Sequence, residues 1–383
     1  MRNYFRYLCF FSAIATVLSV ASCRKDPKIL PSEEEQVTPE DPSSSLIGFY
    51  LLNEGNMYMN KASLDYFDFT TGKYSRNIYE EANPTITKGL GDVGNDIGIY
   101  GSKLYVVVNN SNKVEVLDAK TRKSLAQIEL VNCRYITFYK GKAYASAYLA
   151  EIGNPNASEG SVSEIDTTTL KISRKVTVGR QPEELTVVNN LLYVANSGGY
   201  SPENYETTVS VVDLTSFKEI KRIEVAPNLH RLKKDKYGDI YVTSRGDYDA
   251  IPSKLFVIDT QTDQVKKTFD IGVSNLWIDN DSDVAYLYAS EFNYNTHETV
   301  MSYKTLNVKT EELNQKSFIT DGTDAEIKIP YGISINPFTK EVYLTDAGNY
   351  TTPGTLYCFN KEGKKKWTVT TGDIPAHMAF VYK

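Results

Sequence analysis

From Leu46 onward the chain alternates apolar and polar positions in short runs, and the runs repeat. An apolar strand ending in a small or polar turn residue recurs seven times: Phe49–Asn53, Leu104–Asn109, Ala143–Ser146, Leu192–Asn196, Ile240–Ser244, Ala285–Ala289 and Val342–Asp346. A second β-rich strand follows each. It closes on Asp68, Asp118, Asp166, Asp213 and Asp259 in the first five copies. The last two keep the strand without the acid, as Met301–Tyr303 and Tyr357–Asn360. Turn residues and an outer strand of alternating charge come next, for example Ile220–Val225. The aspartates stand at strand ends before Thr and Gly, so they read as turn caps and not as catalytic acids.

The strands have period two and are rich in β-branched and aromatic residues. No helical periodicity lies between them. A repeat of about 45–50 residues means stacked supersecondary units. Four short strands repeated seven times predict an all-β fold, a single seven-bladed β-propeller over residues 46–383. His377–Tyr382 reads as an innermost strand with no blade after it, and Ile47–Leu51 as a second strand with no innermost strand before it. Pairing the two in one blade would close the ring and remove open edges.

The N-terminus bears on compartment. Arg2 and Arg6 precede an apolar run from Leu8 to Val20, too short to span a bilayer. Residues 1–22 read as a signal peptide. Val20-Ala21-Ser22-Cys23 resembles a bacterial lipobox, with Cys23 lipidated; the alternative is an ordinary secretory signal. Cleavage would move the net charge from −6 to −8, which disfavours nucleic acid as a partner. Residues 23–45 are acidic and proline-rich, with almost no apolar side chains, and are expected to form a disordered tether. Outer-membrane, cell-surface anchoring through the lipid follows as the expectation. Of the four cysteines, Cys9 leaves with the signal and Cys23 is acylated, so Cys133 and Cys358 remain. Two free thiols and a disulfide are both open readings.

Two sets of loops open on one face of a propeller, those between second and third strands and those between blades. The first set offers Asn53, Glu54, Tyr58, Asn109, Asn110, Tyr148, Asn196, Tyr200, Tyr205, Arg245, Tyr248, Phe292, Tyr294, Asp346 and Tyr350. The second, nearest the axis, offers Asp92, Asn95, Arg134, Tyr135, Gln181, Glu183, His230, Arg231, Trp277, Tyr331 and His377. Tyrosine supplies a rigid contact area with a polar tip, so this composition suits a bulky amphipathic ligand or a protein. Enzyme signatures are missing from the sequence. His230, His297 and His377 fall in different blades without metal-ligand spacing, and there is no CxxC and no GxSxG. The reading is a non-enzymatic binder without metal or cofactor.

Gly179-Arg180-Gln181-Pro182, Leu192–Asn196 and Val209–Asp213 resemble the YVTN/YncE-type propeller family over nearly all of the expected mature chain. Asn53-Glu54-Gly55-Asn56, Gly91-Asp92-Val93, Val107–Ser111, Gly332–Asn336, Asp346-Ala347 and Gly372–Ala376, together with the lipobox, resemble Bacteroidetes surface lipoproteins of the BtuG type. That resemblance implies capture of cobalamin (vitamin B12) or another corrinoid as a ligand, and hand-off to a TonB-dependent outer-membrane transporter. A surface adhesion or scaffolding propeller that binds a protein or glycan is the alternative. A propeller hydrolase or lactonase is a third reading.

Overall fold

The computed structural model describes residues 32–150, 153–293 and 298–383. The expected signal peptide, Cys23 and the start of the tether lie outside the described residues, as do Tyr294, His297 and the side chain of Phe292.

Seven antiparallel sheets surround one axis, and six of them contain four strands in sequential order. From blade two to blade seven the innermost strands are Gly94–Tyr100, Cys133–Tyr139, Pro182–Val188, Leu229–Lys234, Asn275–Asp279 and Pro330–Ile335. Blade one combines the chain ends. Its innermost strand, Pro375–Tyr382, pairs antiparallel with Leu46–Asn53, from Leu46↔Tyr382 to Asn53↔Pro375. Each innermost strand packs on the innermost strands of both neighbouring blades, so the ring is closed as the pattern predicts.

A tyrosine stands at the same place in every second strand: Tyr50, Tyr105, Tyr144, Tyr193, Tyr241, Tyr286 and Tyr343. All but Tyr286 are buried. A buried phenol needs a partner, and three find theirs in the next blade. Tyr50 donates to the Ala119 carbonyl at 2.6 Å, Tyr193 to Asp263 at 3.0 Å and Tyr241 to the Val308 carbonyl at 3.2 Å.

Side chains two residues further on add a second stitch. Ser146 Oγ accepts the Tyr135 N–H at 3.1 Å and donates to the Glu183 carbonyl of the following blade at 2.9 Å. Thr345 Oγ1 accepts the Gly332 N–H at 2.7 Å and donates to the Pro375 carbonyl of blade one at 2.6 Å. Blade six uses Tyr288, whose hydroxyl donates to the Tyr331 carbonyl.

The third-strand aspartates cap turns, as expected. Asp68 accepts the Thr70 N–H at 2.8 Å, Asp118 that of Thr121 at 2.7 Å and Asp213 that of Ser216 at 2.7 Å. Asn307 and Asn360 do the same work where the acid is missing, accepting from Lys309 and Lys364 at 2.9 Å each. Cys133 and Cys358 are both free and buried.

The tether expectation is corrected for residues 33–45. Glu33–Gln36 adds a fifth strand to blade one, paired with Lys73–Arg76. Low apolar content argued for disorder, but the outer edge of blade one offers unpaired backbone groups and matching charge. Glu33 pairs with Arg76, and Glu34 with Lys73 at 3.4 Å. The chain then follows the same edge, with the Val37 and Thr38 N–H groups on the Gly72 carbonyl.

Thr345→Val keeps the shape and removes the hydroxyl that joins blades seven and one. It leaves the Gly332 N–H without its acceptor, so unfolding stability should fall by ~1–3 kcal/mol. Urea unfolding checks this, and an unchanged midpoint would show that the stitch carries no weight.

Candidate functional site

The innermost strands all start at one end of the ring. Asp96, Tyr135, Glu184, Arg231, Asn275, Gly332 and His377 hold the same position in the seven blades. The residue after each is apolar and pairs with the residue after the second-strand tyrosine, as in Ile97↔Val106, Leu185↔Val194 and Met378↔Leu51. In every blade but the sixth, the ladder slips its register immediately above this level. Such bulges re-aim side chains. They place the consecutive polar pairs Glu183-Glu184 and His230-Arg231 in one buried network.

Glu183 is its hub. It accepts the Tyr148 hydroxyl at 2.6 Å and Arg134 Nε and Nη2 at 3.2 and 3.1 Å, and Arg245 Nη1 lies 3.6 Å away. Burial pushes the Glu183 carboxyl up, but Arg134 and Arg245 outweigh it and hold the group below its ordinary value. Tyr135 shares a 2.9 Å hydrogen bond with His230 Nε2. The guanidinium of Arg231 lies 5.4 Å above the Tyr135 ring. His377 Nδ1 stands 3.5 Å from Asp96. Burial, then the neighbouring cations, pushes both histidines well below their ordinary value, so both are neutral at pH 7. Tyr331 donates to Glu54 at 2.7 Å. Burial pushes Glu54 and Asp96 each up to about 7.

Below this layer a cavity of about 270 Å³ follows the axis, with Asp96, Glu184, Arg231, Trp277 and His377 on its wall. A second cavity, of about 610 Å³, lies away from the axis, between Glu33, Asp65, Glu80, Ile86 and Asp373. Among the described residues no three His, Cys, Asp or Glu side chains gather to hold a metal ion.

Residues 47–380 match a family described as a domain of unknown function, DUF5074. The chain belongs to that family. No curated protein matches the sequence. Among solved structures, a quinonprotein alcohol dehydrogenase-like protein from Bacteroides thetaiotaomicron VPI-5482 is similar at TM-score 0.62 and 15% identity, over 88% of this chain and 78% of that one. A hypothetical selenium-binding protein from Sulfolobus tokodaii is similar at TM-score 0.63 and 12% identity, over 89% and 96%. At these identities the likeness shows the propeller fold.

The DUF5074 propeller divides the sequence-predicted site residues into three groups. Arg134, Tyr135, Tyr148, Glu183, His230, Arg231, Arg245, Tyr331, Glu54 and His377 come together in the network at the mouth of the axis. Tyr58, Tyr200, Tyr205, Tyr248 and Tyr350 stand above or around it. Tyr200 packs edge-on against Tyr148, Tyr205 against Tyr248 and Tyr350 against Tyr331, with ring centroids 5.2, 6.4 and 6.0 Å apart.

The third group is engaged with the loops themselves. Asn53, Asn95, Asn109, Gln181, Asn196 and Asp346 are buried, and most of them tie loops together. Asn95 donates to the Arg134 carbonyl at 2.6 Å, Asn109 to the Cys133 carbonyl at 2.8 Å and Asn196 to Ser210 at 2.9 Å. Asp346 accepts the Ile329 and Gly348 N–H groups at 2.7 and 2.8 Å. Asp92 and Asn110 likewise fix the first loop: Asp92 accepts the Tyr58 N–H at 2.7 Å and the Asn110 amide at 2.6 Å. Trp277 sits lower, on the cavity wall. Sequence reasoning missed Asp96, Glu184 and Lys233 as site residues, although polar residues at strand starts beside the inter-blade turns were a usable signal.

Glu183→Ala leaves Arg134 without its carboxylate in a buried site, so a loss of ~3–5 kcal/mol is expected; denaturant unfolding measures it, and a loss below ~1 kcal/mol would contradict the hub role. Glu54 yields a pH prediction. Its carboxyl binds a proton more tightly folded (about 7) than unfolded (4.5). The stability it contributes is therefore lost as pH rises through that window. Asp96 acts in the same sense. Melting temperatures from pH 5 to 8 should fall less steeply in Glu54→Gln than in the native protein. Identical slopes would place that carboxyl in contact with solvent.

Proposed function

We propose that this DUF5074 propeller is a non-catalytic capture protein whose tyrosine rim holds a bulky amphipathic ligand. One observation carries the reading. Among the described residues, Tyr58, Tyr248 and Tyr350 are the exposed rim tyrosines, at 75%, 57% and 44% exposure, and all three adopt left-handed backbone, with φ of 66, 61 and 63°. Bulky residues avoid that region. The same backbone occurs at turns such as Arg122, Leu170 and Phe217; at the rim it holds three exposed aromatic rings in place where the surroundings over-determine it. Here the surroundings include the Asp92 carboxylate on the Tyr58 N–H and a 2.9 Å bond from the Tyr350 N–H to the Ala347 carbonyl. Rigid aromatic anchors lose little conformational entropy on binding.

A corrinoid is the ligand we propose. It has an apolar ring edged by amides, which matches aromatic faces set beside arginine, histidine and carboxylate groups. Surface display on an outer membrane and delivery to a TonB-dependent transporter complete the proposal. Met57 and Met59, at 42% and 59% exposure on either side of Tyr58, form an apolar tip suited to a protein partner. The same tip favours the second reading, an adhesion propeller with a protein as its main ligand.

Isothermal titration with cyanocobalamin tests the corrinoid reading. Saturable binding is expected, and Tyr58→Ala, Tyr248→Ala and Tyr350→Ala should each weaken it about tenfold, or ~1.4 kcal/mol, without lowering the melting temperature. An absence of heat at micromolar ligand would sink it.

A further inference from the structure

We propose that the central cavity is a binding site for a small oxyanion, a carboxylate or phosphate group, held by the guanidinium of Arg231. This does not depend on what the tyrosine rim binds.

Arg231 is only 6% exposed. Among the described residues its guanidinium makes no ion pair and no hydrogen bond, and Nε is fully buried without a partner. A buried charge in that condition is costly unless something compensates it. The other cations of the mouth are compensated. Arg134 and Arg245 share Glu183, and Lys233 pairs with Glu184.

The carboxylates that influence Arg231 are committed elsewhere. Glu54 accepts the Tyr331 hydroxyl at 2.7 Å, and Glu184 accepts the Leu232 N–H at 2.8 Å besides Lys233. The Tyr135 face supplies a cation–π contact, which is weaker than a charge-assisted bond. The mouth thus gathers four cationic side chains, Arg134, Arg231, Arg245 and Lys233. Two of its four carboxylates, Glu54 and Asp96, titrate near neutrality. The surplus is positive.

Arg231 lies on the wall of the cavity of about 270 Å³. That volume is just below the ~300–1,000 Å³ of drug-sized sites, so the ligand is small. His377 shares the wall, and its Nε2 is a second buried, unpaired polar atom, which would donate to an oxyanion in the tautomer that carries the ring proton there. A planar guanidinium matches carboxylate and phosphate oxygens in bidentate geometry, which a chloride ion cannot reproduce.

The test is thermal melting and isothermal titration of the purified protein with sodium phosphate and with sodium succinate, at pH 7 and constant ionic strength, with chloride as reference. We expect a saturable rise in melting temperature with at least one oxyanion. Arg231→Met should abolish it, and in chloride alone this variant should melt no lower than the native protein. Arg231→Lys keeps the charge without the fork and should bind about tenfold more weakly. A native protein that responds to the oxyanions only as it does to chloride overturns the proposal, as does an unchanged response in Arg231→Met. Should Arg231→Met fail to fold, the lysine variant decides: unchanged affinity overturns the site, and a tenfold loss supports it.

Discussion

The pairing of Pro375–Tyr382 with Leu46–Asn53 is the constraint on which the rest of the molecule depends. Seven wedge-shaped sheets converge on an axis only when the last meets the first. No disulfide locks the junction, since both described cysteines are free. Ladder hydrogen bonds and an aromatic cluster hold it instead. Phe49 packs on Phe380 and Tyr343, with centroids 5.8 and 5.0 Å apart. The closing strand also carries His377, which it delivers to within 3.5 Å of Asp96 in blade two. Ring closure and site assembly are therefore one event. The Thr345 hydroxyl supports the closing strand from the other side, because its two partners, Gly332 and Pro375, lie in blades seven and one.

Seven equivalent positions carry six different chemistries around the axis. An acid, a phenol, a second acid, a guanidinium, an amide, a bare glycine and an imidazole meet there. The glycine is required by close approach, since a Cβ on Gly332 would come within 2.0 Å of the Ala376 carbonyl. A repeat fold usually multiplies one interaction. Here the repeat supplies the frame, and the non-repeating residues give the mouth its polarity. Buried ion pairs fix the floor, while the exposed tyrosines above it hold strained backbone and large apolar faces.

Much of this was legible in the chain. The aspartates before Thr and Ser fixed the ends of the third strands, and the orphan segments at the two ends foretold their own pairing. The loop inventory found Glu183, Arg134 and Tyr148 because inter-blade turns sit nearest the axis. It also drew in Asn109, Asn196 and Asp346, since a short polar side chain in a loop serves the backbone as readily as a ligand. Asp96 and Glu184 stand in the same inter-blade turns but were not singled out as site residues, and the geometry shows why they belong there. Period two assigns neighbouring residues to opposite faces, and a bulge breaks that parity where it matters. Glu33–Gln36 escaped for an energetic reason. Its stability lies in the edge it meets, not in its own composition.

That added strand also bears on how the ring would meet a mechanical load. Residues 33–45, if extended, could span at most ~3.3–3.6 Å each, roughly 45 Å in all. Laid along the rim of blade one, they contribute almost none of that span, and the chain departs from the outer edge instead of from the seam. A pull on the N-terminus would peel away one exposed, charge-paired strand before it loaded the closure. The propeller would thus pay out slack ahead of opening, and its ring would feel tension only after that reserve had been spent.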